Sequence, residues 1–275
     1  MNIKIVIATH KKYRMPEDDI YIPLHVGAEG KYDKDGKPLD LGYIKDNTGD
    51  NISDLNAGFC ELTGLYWAWK NLDADHIGLV HYRRYFSYKK KGTEPFDNIL
   101  TGEEAEKIFS KYDMIVPAKR HYYIETIYSH YAHTHYASQL DKTREIIEKL
   151  YPDYLSDYDK VIKRTWGYMF NMAVMSRDML NDYCTWLFGI LFELKSQVDA
   201  GKVENSTGLS PFQSRFYGRI SEALFNVWLA HQLKAGTVKH IKELKCISME
   251  KIDWKRKARS FLGAKFFGRK YESSF

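Results

Sequence analysis

The sequence predicts an α/β protein, and three observations carry that prediction. The apolar runs Ile3 to Ala8, Ile77 to Val80 and Met114 to Pro117 are continuous rather than alternating, as strands buried on both faces are. Segments with apolar residues at helical spacing follow or separate them. Each run also empties into cationic or polar groups: Thr9-His10-Lys11-Lys12, His81-Tyr82-Arg83-Arg84, and Lys119-Arg120. Ligands of an open α/β sheet bind at the carboxyl ends of its strands. Self-repelling cations collected there call for an anion, and a diphosphate suits them. An edge strand running into a solvated basic turn is the plainer alternative.

At 275 residues the chain is long enough to bury a full core. Its 21 tyrosines and 6 tryptophans pair an apolar face with a polar tip, which suits sugars or bases. Cys60, Cys184 and Cys246 lack metal-ligand spacing and fit buried thiols in a reducing compartment. The first apolar run is too short for a signal peptide, and no run approaches the ~20 residues that span a bilayer, so a cytoplasmic location is expected. From Asp253 to Phe275 seven Lys or Arg face two acidic residues, which accounts for the whole net charge of +5. The body is therefore neutral, which argues against a nucleic-acid partner.

Taken in order, the first strand ends at His10, where a capping or surface role competes with ligand binding. Residues up to about Lys45 are rich in Gly, Asp and Lys and read as loop with at most a short strand. Asp46-Asn-Thr-Gly-Asp-Asn-Ile-Ser53 is a turn, serving either a nucleoside pocket or a helix start capped by Ser53 or Asn56. A helix over about Phe59 to Asn71 places Leu62, Leu65, Tyr66 and Trp69 on one face. The organising strand follows, then a polar excursion from Ser87 to Gly92. Thr101 and Glu104 form a capping box for a helix to Lys111. Residues 121–136 are dense in His and Tyr. His130, His133 and His135 share no helical face and have no Cys or carboxylate nearby to complete a zinc set, so an acceptor wall is favoured over a metal.

Gln139 to Leu150 reads as a charged amphipathic helix, and Trp166 to Met175 as one strand holding a single polar residue, Asn171. A buried Asn must find partners, as structural support or as a ligand contact. A long packing helix spans about Arg177 to Val198, and Ala200 to Pro211 is a loop able to act as a lid. A helix over Ala223 to Leu233 places Glu222 at its start, where the dipole favours an acid with or without catalysis. The tail puts Trp254, Ala258, Phe261, Leu262 and Phe266 on one side and basic residues elsewhere, which suits an anionic membrane surface or docking on protein.

Ile-Ala-Thr-His-Lys-Lys, the turn at 46–53, Glu-Leu-Thr-Gly-Leu-Tyr-Trp-Ala-Trp-Lys-Asn at 61–71 and Gly-Leu-Val-His-Tyr-Arg-Arg-Tyr-Phe at 78–86 resemble a bacterial family. It is the small glycosyltransferases of capsule, exopolysaccharide and lipopolysaccharide synthesis, some of them galactofuranosyltransferases. Tyr-Met-Phe-Asn-Met at 168–172 and Gly-Arg-Ile-Ser-Glu-Ala-Leu at 218–224 extend the resemblance over roughly residues 1–250. It implies a GT-A-like single large domain, with a mostly parallel central sheet flanked by helices. A nucleotide-sugar half would span about 1–120 and an acceptor half about 121–250, with the basic amphipathic tail at 251–275 outside the domain.

In GT-A enzymes a central strand ends in Asp-x-Asp, which holds a divalent metal on the diphosphate. His81-Tyr82-Arg83 stands at that place here. The expectation is therefore direct neutralisation of the diphosphate by Arg83 or Arg84 with His81, no required cofactor, and no metal ligands; Mn or Mg is the disfavoured alternative. The donor-binding set is then Thr9, His10, Lys11, Asp46, Asn47, Asp50, Asn51, Glu61, His81, Arg83 and Arg84. His133, His135, Trp166, Asn171 and Arg219 would meet the acceptor, and Glu222 would be the base of an inverting reaction. The expected partners are a UDP-sugar, with galactofuranose or galactose as the hexosyl group, a lipid-linked glycan, and the inner face of the bacterial membrane. A non-catalytic sugar-binding or assembly protein is the rival reading.

Overall fold

The computed structural model describes residues 1–250, so the expected membrane-binding tail lies outside the described residues. In chain order the strands are β1 Ile3–Thr9, β2 Tyr21–His25, β3 Ile44–Lys45, β4 His76–His81, β5 Arg84–Ser87, β6 Met114–Pro117, β7 Arg120–His121, β8 Trp166–Gly167, β9 Ala173–Ser176 and β10 Ile241–Ser248. The helices are α1 Asn56–Phe59, α2 Leu62–Asn71, α3 Gly102–Phe109, α4 Ile127–Thr134, α5 Ala137–Leu150, α6 Leu155–Val161, α7 Arg177–Asp199 and α8 Phe216–Ala235. The described residues divide into two compact units: a first of 1–118, 170–184 and 238–250, and a second of 119–169 and 185–237.

The first unit holds one eight-stranded sheet in the order β3-β2-β1-β4-β5-β10-β6-β9. Strands β3, β2, β1 and β4 are parallel. Beyond β4 the sheet changes character. β5 runs antiparallel to both β4 and β10, β10 is parallel to β6, and β9 is antiparallel to β6 and also to β4. The last five strands thus close a small ring. A mostly parallel sheet was expected and a mixed one is found, because β4 does not leave by a helical crossover: it turns back at Tyr82-Arg83 into β5. The ring closes tightly at Gly78, opposite Val174. A Cβ there would lie 2.6 Å from Val174 Cγ2 and 2.8 Å from the Ala173 carbonyl oxygen. Ile5, Ile7, Val80, Tyr85, Phe86, Ile115 and Val174 fill the core of this unit without measurable exposure.

Several local expectations hold. The Thr101–Glu104 capping box starts α3 with both reciprocal bonds made, and α7 covers the long apolar stripe. Others change. Cys60, at φ +55°, separates α1 from α2, so the helix expected over about Phe59 to Asn71 begins at Leu62. The expected strand over 166–175 is interrupted by Phe170 and Asn171, both left-handed (φ +78° and +53°). Its first part, β8, pairs with β7 in the second unit, while β9 joins the main sheet. Helix α8 begins at Phe216, which puts Glu222 in its second turn rather than at its start. Strand β10 has no counterpart in the sequence reading, since Ile-Lys-Glu-Leu-Lys-Cys-Ile-Ser offers no clean apolar run. Among the described residues no helix is long and apolar enough to cross a membrane.

Candidate functional site

In the first unit, β1 and β4 are parallel neighbours with Ala8 opposite His81. Thr9, His10 and Lys11 therefore emerge at the same sheet end as Tyr82 and Arg83. Fully buried Thr9 shapes the turn: its hydroxyl donates to the Lys11 carbonyl at 2.7 Å and accepts from the Lys11 amide at 3.3 Å. The buried Tyr82 ring is the hub. His10 and Tyr13 meet it edge-on at 5.4 and 5.1 Å, and Lys11 Nζ and the Arg83 guanidinium lie 5.2 and 5.1 Å from its centre. Such contacts hold cations together against their mutual repulsion. The anion that meets both is the chain's own Glu250, 3.0 Å from Arg83 Nη1 and 4.0 Å from Lys11 Nζ. Burial, and then the Glu250 charge, push the Tyr13 hydroxyl pKa up.

His81 and Arg84 face each other across the β4–β5 hairpin, and both engage Phe170. His81 Nε2 lies 2.6 Å from the Phe170 carbonyl oxygen, and the Arg84 guanidinium lies 4.8 Å from the Phe170 ring centre. A carbonyl only accepts, so His81 carries its proton on Nε2. Next to it, Asn171 Nδ2 donates to Glu61 Oε1 at 2.8 Å. Two successive left-handed residues without glycine cost on the order of 1–3 kcal/mol each. They persist here because His81, Arg84 and Glu61 hold them. Asn171, expected on the acceptor side, thus joins three of the expected donor residues.

The 46–53 turn is mostly tied into the fold. Buried Asp46 accepts from the Gly27 and Ala28 amides at 2.8 and 3.0 Å and from the Thr63 and Ser53 hydroxyls. Those four donors use the full capacity of its carboxylate. Asn47 donates to Glu29, Asp50 accepts from Tyr66, and Asn51 bonds within the turn to Gly49 and Ser53. Neither Ser53 nor Asn56 caps a helix as expected: the N-cap positions are Ile52 and Leu55, without a side-chain cap bond, because Ser53 donates to Asp46 and Asn56 donates to the Cys60 carbonyl and the Thr63 hydroxyl.

In the second unit, buried Glu125 accepts from two rings: His130 Nδ1 at 2.7 Å and His133 Nδ1 at 2.5 Å. Of the three histidines expected to share no face, His130 and His133, three apart on α4, do turn to the same side and share this carboxylate, which the sequence reading overlooked, while His135 lies beyond the helix end in the core. No group of three His, Cys, Asp or Glu that could hold a metal ion is found among the described residues. Burial pushes the His130 pKa down to about 4. The Tyr122 ring lies tilted against His130 with centroids 4.4 Å apart, and burial raises its hydroxyl pKa to about 12. Arg120, Arg219 and Glu222 add their fields at Tyr122, and Arg219 Nη1 lies 3.5 Å from Glu222 Oε1. Trp166 has Lys119 at 4.8 Å and Arg164 at 4.9 Å from its ring. His135 is core, 3% exposed and stacked on Tyr131. Asn226 brackets Tyr168 by accepting from its amide and donating to its carbonyl.

Sequence reasoning missed Glu125, Asn226 and Glu250. Only Glu125 had a readable signal, as the one acid within the His/Tyr-rich stretch.

The first unit is thus that of an α/β protein presenting cations at the carboxyl ends of adjacent parallel strands, the end at which open α/β sheets bind their ligands. Residues 4–233 match the family described as domain of unknown function DUF4422, and the chain belongs to that family. Among solved structures it is similar to the apo structure of the WbbM bifunctional glycosyltransferase, with a TM-score of 0.79 and 30% sequence identity. The likeness covers 91% of this chain and 46% of that one, so this chain spans about half its length. No curated protein matches it.

Proposed function

We propose that this chain is a glycosyltransferase that moves a sugar from a nucleotide-sugar donor to a hydroxyl of a glycan acceptor. One observation carries the reading: Lys11 and Arg83, brought together around Tyr82 at the ends of β1 and β4, already share a carboxylate. A diphosphate offers the same pair more charge and more acceptor oxygens than Glu250 does. The similarity to a bifunctional glycosyltransferase supports the choice of reaction. In this reading Lys11 and Arg83 neutralise the departing diphosphate, and His81, Arg84 and Glu61 position the Phe170-Asn171 turn beside it. The donor is a UDP-hexose, with galactofuranose or galactose as the sugar, and the acceptor is a lipid-linked glycan of bacterial surface polysaccharide.

The groups at the end of β4 do not fit a divalent cation. Arg83 is itself cationic, and His81 Nε2 is spent on a carbonyl. Metal-free neutralisation of the leaving group is therefore part of the proposal. Calorimetric titration of UDP tests it. Binding in EDTA is expected, weakened about tenfold or more in Arg83→Ala, which removes a charge-assisted bond to phosphate. Binding only with manganese would sink the metal-free mechanism, and no binding of UDP under either condition would count against a UDP-sugar donor.

A further inference from the structure

Building on the transferase reading, we infer that the β7–β8 ribbon of the second unit binds an acidic sugar of the glycan, one carrying a carboxylate or a phosphate. His121 of β7 and Trp166 of β8 are register partners, so their side chains leave the ribbon on the same face. Alternation puts Lys119 on that face from one strand and Arg164 and Tyr168 from the other. Tyr123, just past β7, brings its ring centre to 5.9 Å from that of His121, and the Trp166 and Tyr168 rings are 5.9 Å apart. Lys119 and Arg164 reach the indole at 4.8 and 4.9 Å. His121 is exposed, and Arg164 and Trp166 are half-buried. The face is thus a row of rings with two cations upon it.

Two features of this face point to a ligand. The first is Arg164. Burial pushes its pKa down, and among the described residues no carboxylate pairs with its guanidinium. Asp157 acts on it only through its field, because His231 and Lys234 hold that carboxylate at 2.8 and 3.4 Å. A partly desolvated guanidinium without a counter-ion is unfavourable, and a carboxylate or phosphate matches its planar fork. The second feature is Tyr123. It is 83% exposed and left-handed at φ +58°, and across it the Ile124 amide donates to the Tyr122 carbonyl at 2.7 Å. Such a three-residue turn is rare and strained. Little packing rewards it, since the ring it presents lies in solvent, and strain of this kind collects where ligands are held. The rings offer apolar faces to a sugar and polar tips to its hydroxyls, while Arg164 takes its anionic group.

Calorimetric titration of the full chain with a galacturonic acid tetrasaccharide, neutral galactotetraose and galactotetraose 6-phosphate tests this. An acidic form should bind at least about tenfold more tightly than the neutral one, and Arg164→Gln should erase the difference. Tyr123→Gly keeps the turn but drops the ring, and should weaken the acidic oligosaccharide about three- to tenfold. Arg83→Ala should leave that affinity unaltered, which separates this face from the anion site of the first unit. Binding of the uronate alone would identify the anion as a carboxylate, and binding of the phosphorylated form alone as a phosphate; either supports the site if Arg164→Gln abolishes it. Equal binding of acidic and neutral forms, or acidic binding untouched by Arg164→Gln and Tyr123→Gly, would overturn it. So would loss of phosphatidylglycerol vesicle sedimentation in Tyr123→Gly with oligosaccharide binding intact, which would give the face to a membrane. UDP is titrated into the same preparation. UDP binding without oligosaccharide binding would overturn this inference and leave the transferase, whereas the reverse would keep the acidic-sugar site and count against the transferase reading.

Discussion

Arg83 and Glu250 form an ion pair at 3.0 Å, yet their side chains are 34% and 40% exposed. Exposed pairs of this kind contribute about 1 kcal/mol or less to stability. The pair matters more as competition, because any anion reaching Arg83 and Lys11 must displace the carboxylate. Glu250→Gln should therefore tighten UDP about three- to tenfold in calorimetry while leaving the thermal midpoint nearly unchanged. An unchanged or weaker UDP affinity would show that Glu250 does not share the anion site. His130 gives a second residue-scale prediction. Its folded pKa is about 4, below the usual 6.5, because burial disfavours the cation. Between those values the unfolded chain binds a proton that the folded chain refuses, so stability falls as pH drops from about 6.5 to 4 and levels below that. The loss attributable to this group is up to about 3 kcal/mol. Urea denaturation at pH 7 and pH 4.5 should show the wild type losing more stability than His130→Asn, and equal losses would contradict it.

At the scale of elements, the His81-Tyr82-Arg83-Arg84 corner does two tasks. Across the hairpin, His81 and Arg84 grip Phe170, while Tyr82 and Arg83 at the turn gather Lys11 and Glu250. The corner can do so only because β4 reverses instead of crossing over. The same strand closes the ring through Gly78, where an added methyl group meets Val174 and the Ala173 backbone. Gly78→Ala should therefore cost about 1–3 kcal/mol as overpacking. It should also loosen β9 and the left-handed Phe170-Asn171 turn that precedes it. Hydrogen exchange of the β9 amides would register the opening, and unaltered protection would show that the backbone absorbs the methyl group.

For the whole molecule, charge is the leading consideration. The net +5 is accounted for by residues 253–275, so the attraction to an anionic surface that we propose for this chain would rest on that segment and not on the body. Deleting residues 251–275 should abolish sedimentation with phosphatidylglycerol vesicles at low salt and leave UDP affinity unaltered; vesicle binding by residues 1–250 alone would refute this. Membership of the DUF4422 family rests on residues 4–233, within the body. Much of that body was legible. The strands at 3–9, 76–81 and 114–117 and the capped helix after Thr101 follow from short-range pattern. The grouping of His10, Lys11 and Arg83 was legible only in part: the pattern puts each at a strand end, and the parallel pairing of β1 with β4 brings them together. Less of the site was legible, because Glu250 and Glu125 acquire their partners through contacts that no spacing rule encodes.

The sequence by itself determined three of the buried strands (β1, β4 and β6), the cations that follow each of them, and that the tail carries the net charge. Each follows from local composition and period. Only the tertiary structure decided that the sheet is mixed and closes on itself, since four-residue apolar strands look alike whichever way they run. It also decided that Asp46 spends its carboxylate on four donors inside the fold, and that Glu125 stands beneath two histidines of α4. A carboxylate's function depends on which donors reach it. In a folded chain those donors come from elements whose meeting is set by packing rather than by neighbouring sequence.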